Sequence, residues 1–126
     1  MAEESGSLRG RRVLILEDEP MIALDLSFGF EDQGAEVVTA ASCKIAHLAI
    51  EEAMPDLAVL DVNLGGTETC EAVAATLREA GVPFLVHSGD LKRSGEVIER
   101  LAAPTIGKPA PASRVVAAAA TLLVGG

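Results

Sequence analysis

The sequence predicts a doubly wound α/β fold, a parallel sheet of five strands with helices on both faces. Short apolar runs such as Val13-Leu14-Ile15-Leu16 and Leu57-Ala58-Val59-Leu60 lack polar alternation, the pattern of strands buried on both sides. Segments of helical period separate these runs, and most are bounded by Gly or Pro. The chain's 126 residues, 49% of them hydrophobic, suffice for one domain with a real core. With Phe28, Phe30 and Phe84 as the only aromatics, that core must be built from Leu, Ile, Val and Ala.

Met1 to Gly10 is polar, contains glycine and lacks an apolar targeting core, so it reads as a flexible tail before a domain spanning residues 11–126. The first strand, Val13 to Leu16, stops at the acids Glu17, Asp18 and Glu19. Pro20 suits a first helical position; Ile22, Leu24, Phe28 and Ala35 roughly follow helical spacing, and Gly34 ends the helix. A second strand is expected over Glu36–Ala40. Ser42 then caps a helix with an inward face of Ile45, Ala46, Ala49, Ile50 and Ala53, closed by Pro55. The third strand, Leu57–Leu60, ends at Asp61. After Gly65-Gly66, Thr67 is expected to cap a third helix that Gly81 ends. A fourth strand from Pro83 through Val86 reaches Ser88, and Ser94 precedes a helix of about two turns using Val97, Ile98 and Leu101. Pro104–Gly107 is a short fifth strand. Pro111 opens a last helix facing inward through Val115, Val116, Ala119, Leu122 and Leu123.

Right-handed crossovers leave few ways to assemble five such units. The flavodoxin-like strand order 2-1-3-4-5 is expected, with its crevice at the carboxyl ends of the first and third strands. Ten Lys and Arg against nineteen Asp and Glu leave a net charge of −9, which argues against nucleic acid or an anionic membrane surface as partner. The apolar stretch around Ala117–Ala120 is far shorter than the ~20 residues of a membrane span. Cys43 and Cys70 lack a metal or redox spacing and read as free thiols of a cytoplasmic protein.

Glu17 and Asp18 leave the first strand and Asp61 leaves the third, so the expected topology converges three carboxylates. A single acid there would meet solvent and a helix N-terminus. Three in one crevice repel unless a cation is present, and Mg²⁺ suits them because it takes one or two carboxylates plus phosphate oxygens. Ser88 and Lys108 end the fourth and fifth strands, adding a hydroxyl and an ammonium at the same edge. A carboxylate nucleophile, a metal, a hydroxyl and an ammonium are suited to forming an aspartyl phosphate.

Four blocks carry a family resemblance: Val13 to Pro20 (VLILEDEP), Asp56 to Leu64 (DLAVLDVNL), Pro83 to Gly89 (PFLVHSG) and Gly107-Lys108-Pro109. In this order and spacing the chain resembles, from Arg11 to Val124, the receiver (response-regulator) domains of two-component signalling. The resemblance implies that Asp61 is the phosphoacceptor and that Glu17 and Asp18 organise Mg²⁺, joined by the backbone carbonyl of Asn63. It also implies that Ser88 and Lys108 contact the phosphoryl group, with a cis bond between Lys108 and Pro109. Asp61 stands alone on its strand, which agrees with a nucleophile's role. Asn63 and Asp90 occupy the family's positions that tune dephosphorylation; both are polar and able to orient water, so self-dephosphorylation is expected not to be exceptionally slow.

The family's aromatic switch position, three residues before the lysine, holds Thr105 here, and Gly65 replaces the usual Pro after Leu64. Order in the Leu91–Ala103 segment is therefore expected to report the state of Asp61. His47 and His87 are isolated, His87 beside the pocket, and Arg9, Arg11 and Arg12 form a small solvated basic cluster. The resemblance implies a stand-alone receiver that takes its phosphoryl group from a histidine kinase or histidine phosphotransfer protein. It is not an enzyme beyond its own phosphoryl transfer and dephosphorylation. Its output is partner binding, through the fourth and fifth helices and fifth strand, or service as a phosphate shuttle or sink. Alternatives are an aspartyl-phosphate-forming phosphohydrolase and a phosphorylation-independent adaptor. The hydrolase usually has a second acid two residues after the nucleophile, where Asn63 stands. Nucleotide or flavin binding fits poorly, because the first turn, Glu-Asp-Glu-Pro, has no glycine-rich phosphate loop.

Overall fold

The computed structural model describes residues 8–64, 68–89 and 95–125. In chain order the elements are β1 (Arg12–Leu16), α1 (Pro20–Glu31), β2 (Glu36–Ala40), α2 (Cys43–Glu52) and β3 (Leu57–Leu60). They continue as α3 (Glu71–Glu79), β4 (Phe84–Ser88), α4 (Gly95–Leu101), β5 (Thr105–Gly107) and α5 (Ala112–Gly125). The strands pair in parallel in the order β2-β1-β3-β4-β5. This is the flavodoxin-like arrangement expected from the alternation of buried runs and helices.

Side chains alternate across the sheet and divide the core in two. Leu14, Leu16, Ala58, Leu60, Phe84 and Val86 face one layer, with Ala46 and Ile50 of α2, Val73 and Leu77 of α3, and Leu101 of α4. Val13, Ile15, Leu57, Val59, Leu85 and Ile106 face the other, with Leu26 and Phe30 of α1 and Val115, Val116 and Ala119 of α5. Both faces of β1, β3 and β4 are therefore covered, which is why their sequences lack alternation.

Three local expectations are corrected. The inward stripe of α1 is Ile22, Leu26 and Phe30, whereas Leu24 and Phe28 are 48% and 60% exposed. That helix has apolar residues on two faces, and helical spacing alone does not say which one meets the sheet. Ile45 of α2 is likewise exposed, while Ala46 and Ile50 are buried. Packing also begins before Arg11: Leu8 is buried and its N–H donates to the Gln33 carbonyl at 2.9 Å. The tail expected over Met1–Gly10 thus contributes Leu8 to the core layer beneath α1 and α5.

Ser42 accepts from the Ile45 N–H at 3.3 Å, the cap expected of it. Thr67 and Ser94 lie outside the described residues; at α3 the Thr69 hydroxyl accepts from the Glu71 N–H at 3.4 Å. The seven-residue α4 is short, as expected, and Ala102 just beyond it has φ +50. Gly34, after α1, has φ +91, and a Cβ there would lie 3.0 Å from Arg9 Cα. Gly34→Ala is therefore expected to lower stability by about 1–2 kcal/mol, measured by urea denaturation, because backbone strain and contact with Arg9 act together. Among the described residues no helix is long and apolar enough to cross a membrane.

Candidate functional site

Strand pairing brings the candidate residues to one edge of the sheet. Leu16 pairs with Ala40 on one side and Leu60 on the other. One residue further, the Glu17 N–H donates to the Ala40 carbonyl and the Asp61 N–H donates to the Leu16 carbonyl, each at 2.9 Å. These bonds fix the backbone of both acids as their strands end. Oxygens of Glu17, Asp18 and Asp61 all lie within 4.8 Å of one another. Glu17 and Asp61 are buried, while Asp18 is exposed.

Lys108 enters from the opposite half of the sheet. Ser88 pairs with Gly107, and the Lys108 N–H donates to the Ser88 carbonyl at 2.8 Å. The lysine ammonium then lies 2.8 Å from Glu17 Oε1 and 3.2 Å from Asp61 Oδ2. The Lys108-Pro109 bond is cis, as the resemblance implies. Ser88 Oγ is buried and has no hydrogen-bond partner among the described residues.

Burial and the nearby Glu17 carboxylate push the Asp61 carboxyl up to about 7, with Lys108 partly opposing them. Burial pulls the Lys108 ammonium the other way from its ion pairs, yet its contacts with Glu17 and Asp61 prevail and hold it above its ordinary range. The carboxylates thus have a surplus of negative charge that one lysine only partly offsets. Clustered oxygen donors of this kind fit a hard divalent cation, and Glu17, Asp18 and Asp61 are the residues able to hold it.

The structure brings Glu17, Asp18, Asp61 and Lys108 together, with Ser88 at the end of the adjacent strand. Asn63 is exposed two residues beyond Asp61 and bridges to Thr69 across the following loop. Asp90 lies outside the described residues, as does the Leu91–Ser94 part of the proposed reporting segment. Thr105 begins β5, and its hydroxyl donates to the Ala103 carbonyl at 3.1 Å.

His87 has a place in this region that the sequence reading set aside. It is 3% exposed, and neither ring nitrogen has a partner among the described residues. It lines a groove of about 380 Å³ with Met21, Ile22, Asp25, Lys108 and Pro109. Burial, followed by the Lys108 charge, holds its imidazole below the usual range. Its position in an apolar strand run was the available signal, but periodicity alone cannot show whether a buried imidazole finds a partner.

Residues 13–120 match the response regulator receiver domain family. The transcriptional regulatory protein TcrA of Mycobacterium tuberculosis is 35% identical over 99 residues, covering 77% of this chain and 37% of that protein. The protein-glutamate methylesterase/protein-glutamine glutaminase of Halobacterium salinarum is 31% identical over 101 residues, 76% of this chain and 29% of that protein. The chain therefore spans about a third of the length of these relatives. The solved receiver domain of NtrX from Brucella abortus superposes with a TM-score of 0.78 at 26% identity, covering 90% of this chain and 99% of that one. Matched along most of its length, and sharing the parallel sheet of the solved receiver, the chain belongs to the response regulator receiver domain family.

Proposed function

We propose that Asp61 accepts a phosphoryl group from a phosphohistidine of a histidine kinase or histidine phosphotransfer protein. One observation carries this reading: three carboxylates within 4.8 Å of one another, with the Lys108 ammonium 3.2 Å from Asp61. An Asp61 carboxylate oxygen forms a bond to phosphorus as the phosphorus–nitrogen bond breaks, and the departing imidazole takes up a proton. Glu17 and Asp18, with the Asn63 backbone carbonyl, would hold Mg²⁺ beside Asp61. When bound, the ion neutralises charge on the phosphoryl oxygens. Lys108 pairs with one of those oxygens and the Ser88 hydroxyl donates to another. Gly89 leaves room for the donor: a Cβ there would sit 3.6 Å from the Lys108 stem.

Asn63 and Asp90 would orient the water that later releases phosphate. Output passes through partner binding at the surface of α4, β5 and α5, with Thr105 in place of an aromatic switch, or the chain serves as a phosphate shuttle or sink. The protein is to be incubated with Mg²⁺ and acetyl phosphate or phosphoramidate, and its mass followed. A gain of one phosphoryl group, absent when EDTA removes the metal, is expected. Steady release of phosphate from a phosphorylated metabolite would instead identify a hydrolase. A phosphoryl lifetime of many hours in the isolated protein would contradict the roles given to Asn63 and Asp90.

A further inference from the structure

The loop leaving Asp61 is closed at its base. The Cys70 N–H donates to the Val62 carbonyl at 3.1 Å, the Leu64 N–H to the Glu68 carbonyl at 3.0 Å, and Asn63 bridges Thr69. Against that base stands the start of α2. The thiol of its first residue, Cys43, donates to the Thr69 carbonyl at 3.1 Å.

That oxygen and Cys70 Cα belong to one planar peptide unit, about 2.8 Å apart, so the Cys43 sulfur lies within about 6 Å of Cys70 Cα. Both residues belong to the same core layer, Cys70 fully buried within it and Cys43 packed against it. Their proximity is felt electrostatically: after burial, Cys43 is the next cause holding the Cys70 thiol up at about 12. A disulfide requires Cα atoms about 4.4–6.8 Å apart. With its sulfur within about 6 Å of Cys70 Cα, Cys43 reaches that bond by side-chain rotation and closer approach of α2 to the loop base. Their exposures differ, since Cys43 is half-buried and Cys70 has no exposure. An oxidant from solvent therefore meets Cys43 first, and Cys70 is placed to complete the reaction.

We propose that Cys43 and Cys70 form a reversible intramolecular disulfide that clamps the base of the Asp61 loop to α2, with a small-molecule disulfide as oxidant. The Cys43 thiolate attacks one sulfur of the small disulfide, forming a mixed disulfide and expelling a thiolate that takes up the proton Cys43 lost. The Cys70 thiolate then attacks Cys43 Sγ and expels the second thiol, which receives the proton from Cys70. Two electrons pass from the cysteine pair to the small disulfide, which leaves as two thiols. Burial, and next the Glu68 carboxylate, hold the Cys43 thiol above its ordinary range, so the exchange is slow rather than peroxide-like in speed.

Reduced native protein is to be treated with oxidised glutathione and examined by mass spectrometry without reductant. The expected product is a monomer roughly 2 Da lighter, with a proteolytic fragment joining Cys43 to Cys70, and dithiothreitol reverses it. Amide exchange over residues 62–70 is expected to slow several-fold in this product. Cys43→Ser, checked for folding by circular dichroism, is expected to show no such mass loss. Asp61→Asn should form the same bond, which separates this inference from phosphoryl acceptance. A glutathione adduct that persists on Cys43, a disulfide-linked dimer, or unchanged protein would each overturn the proposal.

Discussion

Asp61→Asn is expected to abolish phosphoryl uptake from acetyl phosphate and, in Mg²⁺-free buffer, to stabilise the fold at alkaline pH. The first effect follows from chemistry, since the neutral amide is not the nucleophile a carboxylate is. The second follows from the position of Asp61 beside Glu17, where burial and the neighbouring charge push its carboxyl up to about 7 from an ordinary 3.8. A carboxyl raised on folding lends stability below its ordinary value and loses it as pH climbs through the raised one. Metal-free wild type should therefore weaken between about pH 4 and pH 7 and level off above, whereas the contribution from position 61 is flat in the variant. Above pH 7.5 the variant should be more stable by roughly 1–3 kcal/mol in urea denaturation. Saturating Mg²⁺ should narrow the gap, because a bound cation favours the carboxylate. A gap that is constant from pH 5 to pH 8 would contradict the burial and repulsion assigned to Asp61.

Lys108→Ala is expected to slow phosphoryl uptake by about 100-fold while leaving Asp61 present as acceptor. Its ammonium, 2.8 Å from Glu17 and 3.2 Å from Asp61, is the one side-chain cation the structure seats directly against both acids among the described residues. Removing a preorganised charge aimed at a developing oxyanion costs on the order of 10²–10³ in rate. The same deletion leaves Glu17 and Asp61 without their counter-charge. Mg²⁺ affinity should therefore rise several-fold in the variant even as the rate falls, measured by metal titration and mass-detected phosphorylation. The opposed signs are informative, since general unfolding would lower both.

Much of this was legible in the sequence because two strong patterns coincided. Val13–Leu16 and Leu57–Leu60 could not be half-exposed strands, and with helical segments between them they demanded a parallel sheet covered on both sides. Right-handed crossovers then brought the ends of β1 and β3 together, which already placed Glu17, Asp18 and Asp61 in one crevice. Lys108 was legible as a cation at the same edge.

The remaining features depended on rotations about helix axes and on contacts between distant segments. Residues 20–31 present apolar side chains on two faces, and only docking on the sheet chose Leu26 and Phe30 over Leu24 and Phe28. Leu8 looked like part of a tail because nothing local announces the Gln33 carbonyl that receives its N–H. Cys43 and Cys70, twenty-seven residues apart, come into one neighbourhood because α2 packs against the base of the Asp61 loop, where the Cys43 thiol donates to the Thr69 carbonyl. The sequence by itself determined the sheet, its order and the gathering of the acids, since these follow from burial patterns and chain handedness. Only the tertiary structure decided which helix faces turn inward, how Lys108 divides itself between Glu17 and Asp61, and that His87 and Ser88 are buried without partners among the described residues. Those outcomes depend on packing across long sequence separations, which periodicity does not encode.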